Sequence, residues 1–151
     1  MSDRIEPSAY GPEILEQLRA LALPVGDYAV FGSGPMLVRG IIDTVSDLDV
    51  LCRGMAWSKA QELATSTAVE EGVAVVRAGP ISFGTRWGLG GIDVNRLIDE
   101  VEIIDGLPFA PLEAVVAYKR AAGRPKDVAH LELIRAWIAG ESPPGRRSDP
   151  L

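Results

Sequence analysis

The sequence predicts a mixed α/β (α+β) domain: a mixed β-sheet flanked by helices, with two more helices at the C-terminal end. Two observations carry this expectation. Short apolar runs of strand character alternate with segments whose apolar residues recur at helical spacing, and glycine and proline punctuate the boundaries between them. A chain of 151 residues has room for one sheet and its covering helices. Residues 1–140 are therefore expected to form a single domain. Residues 141–151, with too little apolar content to pack, are expected to be a disordered tail.

Taken in order, Glu13 to Leu23 carries Ile14, Leu15, Leu18, Leu21 and Ala22 on one helical face, and Pro24 and Gly26 end the pattern. Asp27 to Phe31 reads as a short strand, Gly32 to Gly34 as a turn, and Pro35 to Gly40 as a short helix with proline in its first turn. A second strand follows at Asp47 to Cys52 and a helix at Ala56 to Glu71. Strands are expected at Val73 to Arg77, Ile81 to Trp87, Gly91 to Leu97 and Val101 to Asp105, with Gly88 to Gly91 as a hairpin turn. Pro111 to Ala122 and Lys126 to Ala139 are helices separated by G-R-P.

Composition narrows the classes of function. Hydrophobic residues make up 47% and charged residues 24%, an ordinary globular balance. No apolar run approaches the roughly 20 residues needed to span a bilayer. The stretch MSDRIEPSAYGPE lacks the basic and then apolar pattern of a secretory signal, and Cys52 is the single cysteine, so the expectation is a cytoplasmic protein without a membrane partner. A net charge of −6 argues against avid nonspecific nucleic-acid binding. Lys119, Arg120, Arg124 and Lys126 nevertheless form a local basic group.

The segment FGSGPMLVRGIIDTVSDLDV concentrates the chemistry. In a strand, side chains alternate, so Asp47 and Asp49 share one face while Leu48 and Val50 point into the core. Like charges so close repel unless a cation lies between them, and hard oxygen ligands suit magnesium or manganese. Such a metal usually bridges to substrate phosphates, for which Gly32 and Ser33 offer backbone N–H groups and a hydroxyl. Asp93, between Ile92 and Val94, is the expected third acid on a neighbouring strand; an exposed acid at a strand end is the bland alternative. Likewise, an isolated D-x-D is often a solvated pair and G-S-G a plain turn, so it is their combination that gives the pattern its specificity.

The order G-S, thirteen residues, D-L-D-V and a later I-D-V resembles the nucleotidyltransferase superfamily, whose fold is shared with DNA polymerase beta, and its small bacterial members in particular. The segment LEAVVAYKRAAGRPKDVAHLELI is similar to the lysine-containing helical motif of the AbiEii-like and related minimal nucleotidyltransferases. The resemblance runs from Tyr28 to Ile134. It implies the nucleotidyltransferase fold, with Asp47, Asp49 and Asp93 as catalytic metal ligands for Mg2+ or Mn2+. It also implies Gly32, Ser33 and Lys119 as nucleotide-binding residues. The activity it implies is transfer of a nucleoside monophosphate from a nucleoside triphosphate, ATP being the expected one, to a hydroxyl on a small molecule, a protein or an RNA end. Pyrophosphate is released.

The chain departs from the resemblance in two places. Asp43 stands where relatives often carry a basic residue, and His130 where an aspartate is common. The alternative expectation is a catalytically inactive nucleotide-binding or regulatory module of a two-protein, toxin–antitoxin-like system, working with a protein partner or as a homo-oligomer. Among other residues, His130 is expected to be half-buried rather than a catalytic base, and Cys52 to be a buried small side chain. Trp87 is expected to pack or to stack on a base. Arg124 and Lys126 are expected to link to Asp127 or to face solvent.

Overall fold

The computed structural model describes residues 9–70, 72–87 and 91–141. The expected hairpin turn at Gly88 to Gly91 lies outside them except for Gly91, and so does the expected disordered tail except for Glu141. The order of elements is α1 (Glu13–Ala20), β1 (Tyr28–Phe31), α2 (Gly34–Val38), β2 (Leu48–Cys52), α3 (Gly54–Leu63), β3 (Ser66–Glu70) and β4 (Val73–Ala78). It continues with β5 (Ile81–Gly84), α4 (Val94–Asp99), β6 (Glu102–Ile104), β7 (Leu107–Phe109), α5 (Leu112–Ala122) and α6 (Pro125–Ile138).

Among the described residues, seven strands form one mixed sheet in the order β3-β4-β5-β2-β1-β7-β6. The central pair β1 and β2 is antiparallel, and each has a parallel outer neighbour, β7 and β5 respectively. Alternation along β1 divides the core between the two faces of the sheet. Tyr28 and Val30 pack with Ile14, Leu15 and Leu18 of α1 and with Ala56 and Ala60 of α3. Ala29 and Phe31 pack with Leu97 and Ile98 of α4, Val115 and Tyr118 of α5, and Ile134 of α6. All four β1 residues are buried, as a central strand covered on both faces requires. In β2, Leu48, Val50 and Cys52 go to the α1 and α3 face, whereas Leu51 goes to the α4–α6 face. Period-2 alternation sends Asp49 to the α4–α6 face as well.

Four expectations need correction. The helix expected at Ala56 to Glu71 ends at Leu63, and the chain turns extended at Ser66. β-branched Thr67 and Val69 suit a pleated ladder better than a helix, and the antiparallel pairing with β4 completes it. The strand expected at Gly91 to Leu97 is instead α4, started by Asp93, whose Oδ1 accepts from the Arg96 N–H at 3.2 Å. The strand expected to reach Trp87 ends at Gly84. Finally, β6 turns back through Asp105 and Gly106, both at positive φ (51° and 81°), into β7, which the sequence reading did not anticipate.

Gly34 sits where the β1–α2 turn passes over the core. An added Cβ would run into Val30 Cγ1 and lie 2.9 Å from Leu48 Cδ1, and both side chains are fully buried. Gly34→Ala is therefore expected to lower stability by about 1–3 kcal/mol through overpacking. This would read out as a lower urea midpoint at unchanged slope; an unchanged midpoint would mean that the two strands yield freely.

Candidate functional site

The turn after β1 and the start of β2 meet at close range. Gly32 has φ +66°, a conformation that side chains resist, and a Cβ there would fall 2.9 Å from Asp49 Oδ2. Phe31 is the register partner of Asp49 across the antiparallel pair. Ser33 occupies the position before α2 but does not cap it. Its Oγ instead accepts a hydrogen bond from Lys119 Nζ at 3.1 Å, across a separation of 86 residues. Three segments far apart in sequence, 32–33, 47–49 and 119, thus line one cavity of about 560 Å³.

The acids among the described residues that line this cavity are Asp47, Asp49 and Glu70, all half-buried, with one oxygen from each within 4.8 Å of the others. Glu70, expected from sequence in the last turn of the helix at Ala56 to Glu71, lies at the end of β3. Its Oε2 accepts from Arg77 Nη1 at 2.7 Å and from Ser82 Oγ at 2.8 Å, and Arg77 Nη1 also donates to Ser82 Oγ at 2.8 Å. Ser82, almost fully buried, is the β5 residue in register with Asp49. Where a third carboxylate was expected on the neighbouring strand there is a hydroxyl, and an acid two strands further out reaches it. Burial raises the Asp47 carboxyl, as does the nearby charge of Glu70; Arg77, Lys126 and Arg124 oppose the shift. Asp93, exposed and capping α4, is not among the described residues that line the cavity.

Lys119, Arg124, Lys126 and His130 supply the cavity's basic groups. Lys119 is 1% exposed, and its Nζ lies 2.9 Å from His130 Nδ1 and 3.6 Å from Asp127 Oδ1. Burial pulls its pKa down to about 8; Asp127 resists, while Lys126 and Arg124 add to the fall. Asp127 is fully buried and accepts from Arg124 Nε at 2.6 Å, Arg124 Nη2 at 3.1 Å and the Arg124 backbone N–H at 3.1 Å. Burial alone would raise the Asp127 carboxyl, but these bonds and the charges of Arg124 and Lys119 hold it below its ordinary value. His130 is half-buried, and burial followed by the charge of Lys119 pushes it down to about 4, so it is neutral at pH 7.

Trp87 and Tyr118 also line the cavity. They pack edge-on against each other with centroids 5.6 Å apart, and each lies 5.3 Å from Phe31. Arg124 covers the Tyr118 ring at 5.8 Å and donates to its hydroxyl at 3.1 Å. Cys52 is buried on the opposite face of the sheet, with its thiol pushed up to about 12 by burial and then by Asp27, which makes it a packing residue.

Removing the Asp127 charge should test the basic cluster. Asp127→Asn leaves the buried Lys119 and the partly exposed Arg124 without their carboxylate and is expected to cost about 2–3 kcal/mol in urea unfolding. Because the native carboxyl lies below its unfolded value, its contribution is complete above the ordinary carboxylate range and lost as pH falls through the lowered value. The gap between wild type and variant should therefore narrow in acid; a constant gap would assign the loss to packing. Comparison of the chain with family models, with curated proteins and with solved structures gives no match.

Proposed function

We propose that the cavity binds a nucleoside triphosphate with a divalent cation and transfers its nucleoside monophosphate to a hydroxyl acceptor. The observation that carries this is the convergence of the Gly32–Ser33 turn, the Asp47 and Asp49 pair and Lys119 on one cavity. A dipolar arrangement of this kind, carboxylates beside a lysine and two further cations, suits a ligand that carries phosphate charge and a metal together. The three clustered carboxylates fit magnesium or manganese as a hard-oxygen donor set. In this proposal Glu70 takes the part that sequence gave to Asp93. Bound there, the cation supplies charge neutralisation at the phosphate oxygens.

The chain's own residues account for the remaining work. Lys119, held on Ser33, presents an ammonium to phosphate oxygens, and Arg124 and Lys126 raise the local positive potential. The acceptor oxygen forms a bond to the α-phosphorus as the bond from that phosphorus to the bridging oxygen breaks. Pyrophosphate leaves, and the acceptor's proton passes to a carboxylate of the acidic group. A second function, nucleotide binding without turnover, has one observation in its favour: Glu70 is already engaged by Arg77 and Ser82. That version is the regulatory module of a two-protein system.

Magnesium with ATP is expected to raise the melting temperature by several degrees at saturating concentration, since ligand at about a hundred times Kd adds about 2.7 kcal/mol. Asp49→Asn should remove most of that gain and Glu70→Gln a smaller part, while Asp93→Asn should keep it. An undiminished shift in Asp49→Asn would place the ligand elsewhere. Incubation of the protein with labelled triphosphates, magnesium and cell extract separates the two functions: labelled acceptor and pyrophosphate mean transfer, and retained nucleotide without pyrophosphate means binding alone.

A further inference from the structure

Lys119 combines burial with a counter-charge that it shares with Arg124. Its two nearest partners, Ser33 Oγ at 3.1 Å and His130 Nδ1 at 2.9 Å, accept hydrogen bonds but carry no negative charge. The carboxylate within ion-pair reach, Asp127 at 3.6 Å, is turned toward Arg124, from which it accepts three hydrogen bonds. An ammonium so placed is well oriented, and it shares its near carboxylate with Arg124. The charges that act on the ammonium are Asp127 and Lys126 on α6 and Arg124 between the helices, and His130 and Tyr118 line the cavity beside it. Across the cavity lie Asp47, Asp49 and Glu70 on the sheet.

We propose that His130 is a positioning residue which holds the Lys119 ammonium over Ser33 without neutralising it, so that Lys119 serves the cavity as a proton-dependent handle for polyphosphate. This rests on the nucleotide function proposed above and extends it to regulation by pH. The imidazole Nδ1 accepts the Nζ proton, which fixes the direction of the ammonium. A carboxylate in the same place would fix it equally well but would stabilise the charged form over a wider pH range and compete with phosphate for it. With the neutral ring, the ammonium keeps only the carboxylate it shares with Arg124, and a ligand phosphate adds a counter-charge of its own. Bound polyphosphate favours the ammonium, so affinity is full below the lysine's own titration and falls as pH rises through it.

The test uses the full chain labelled with 13C-lysine. Three lysines, Lys59, Lys119 and Lys126, give a simple spectrum, and Lys119→Met identifies the resonance of interest. Wild-type Lys119 should titrate near pH 8. His130→Asn, which keeps a neutral acceptor, should leave that midpoint in place, and His130→Asp should raise it by about one unit or more. In parallel, affinity for methyl triphosphate is measured by calorimetry from pH 7 to 10, and the fall is read above pH 8, where a terminal phosphate with a last pKa of about 6 is fully ionised. It should fall about tenfold per pH unit above the midpoint, and the onset of the fall should move upward in His130→Asp.

A Lys119 midpoint at the ordinary lysine value, or one that His130→Asp fails to move, would overturn the proposal, as would triphosphate affinity independent of pH across the midpoint. Magnesium–ATP is the separate arm. If methyl triphosphate follows the lysine titration and magnesium–ATP does not bind, the handle stands as a polyphosphate site and the nucleotidyl-transfer function fails alone.

Discussion

Two buried charges, the Lys119 ammonium and the Asp127 carboxylate, constrain this chain more than any apolar contact does. Neither can be left without partners inside the protein, since an unpaired buried charge costs several kcal/mol. The partners lie on different elements: Ser33 at the β1–α2 turn, and His130 and Arg124 on and beside α6. Satisfying both charges therefore sets the angle between α5 and α6 and pins this helix pair to the end of the central strand. Gly123, left-handed at φ +61°, closes α5, while Arg124 and Asp127 bond reciprocally at the start of α6, so the bend between the helices is itself part of the charge network.

The cavity follows from that attachment. Once α5 rests against Phe31 through Tyr118, Lys119 is carried to Ser33, and the G-S turn is held against Asp49 by the Phe31–Asp49 pairing. A basic group from the helices and an acidic group from the sheet come to share one hollow without touching as ion pairs at every point. Enclosure from water is the leading influence on Asp47, Lys119 and His130 alike, ahead of any single charged neighbour.

Much of this was legible in sequence. The central strands, the glycine turn and the C-terminal helix pair are written in local periodicity, and Gly32, Ser33, Asp47, Asp49 and Lys119 do converge. Glu70 was not legible because K-A-Q-E-L-A-T-S-T-A-V-E keeps enough helical spacing to hide the change at Ser66. Thr67, Val69 and the glycine at 72 were the signal, and only the pairing with β4 makes it decisive. Asp93 misled in the opposite sense: Ile92 and Val94 look like strand neighbours, whereas Val94, Leu97 and Ile98 at helical spacing were the stronger pattern, with the aspartate as its start. β7 was hidden by Pro108, which argues against an interior strand even though the Asp105–Gly106 turn called for one.

The position of Glu70 gives the acidic group an uneven mechanical footing. Asp49 belongs to a strand at the sheet's centre, hydrogen-bonded on both sides, whereas β3 is the outermost strand and has a single ladder, to β4. Peripheral ladders exchange their amide hydrogens through local openings that need far less free energy than global unfolding. An opening of β3 from β4 would carry Glu70 away from Asp49, which the central ladders hold in place. A cation held by all three acids, as proposed above, would then clamp the sheet's outermost strand to its centre.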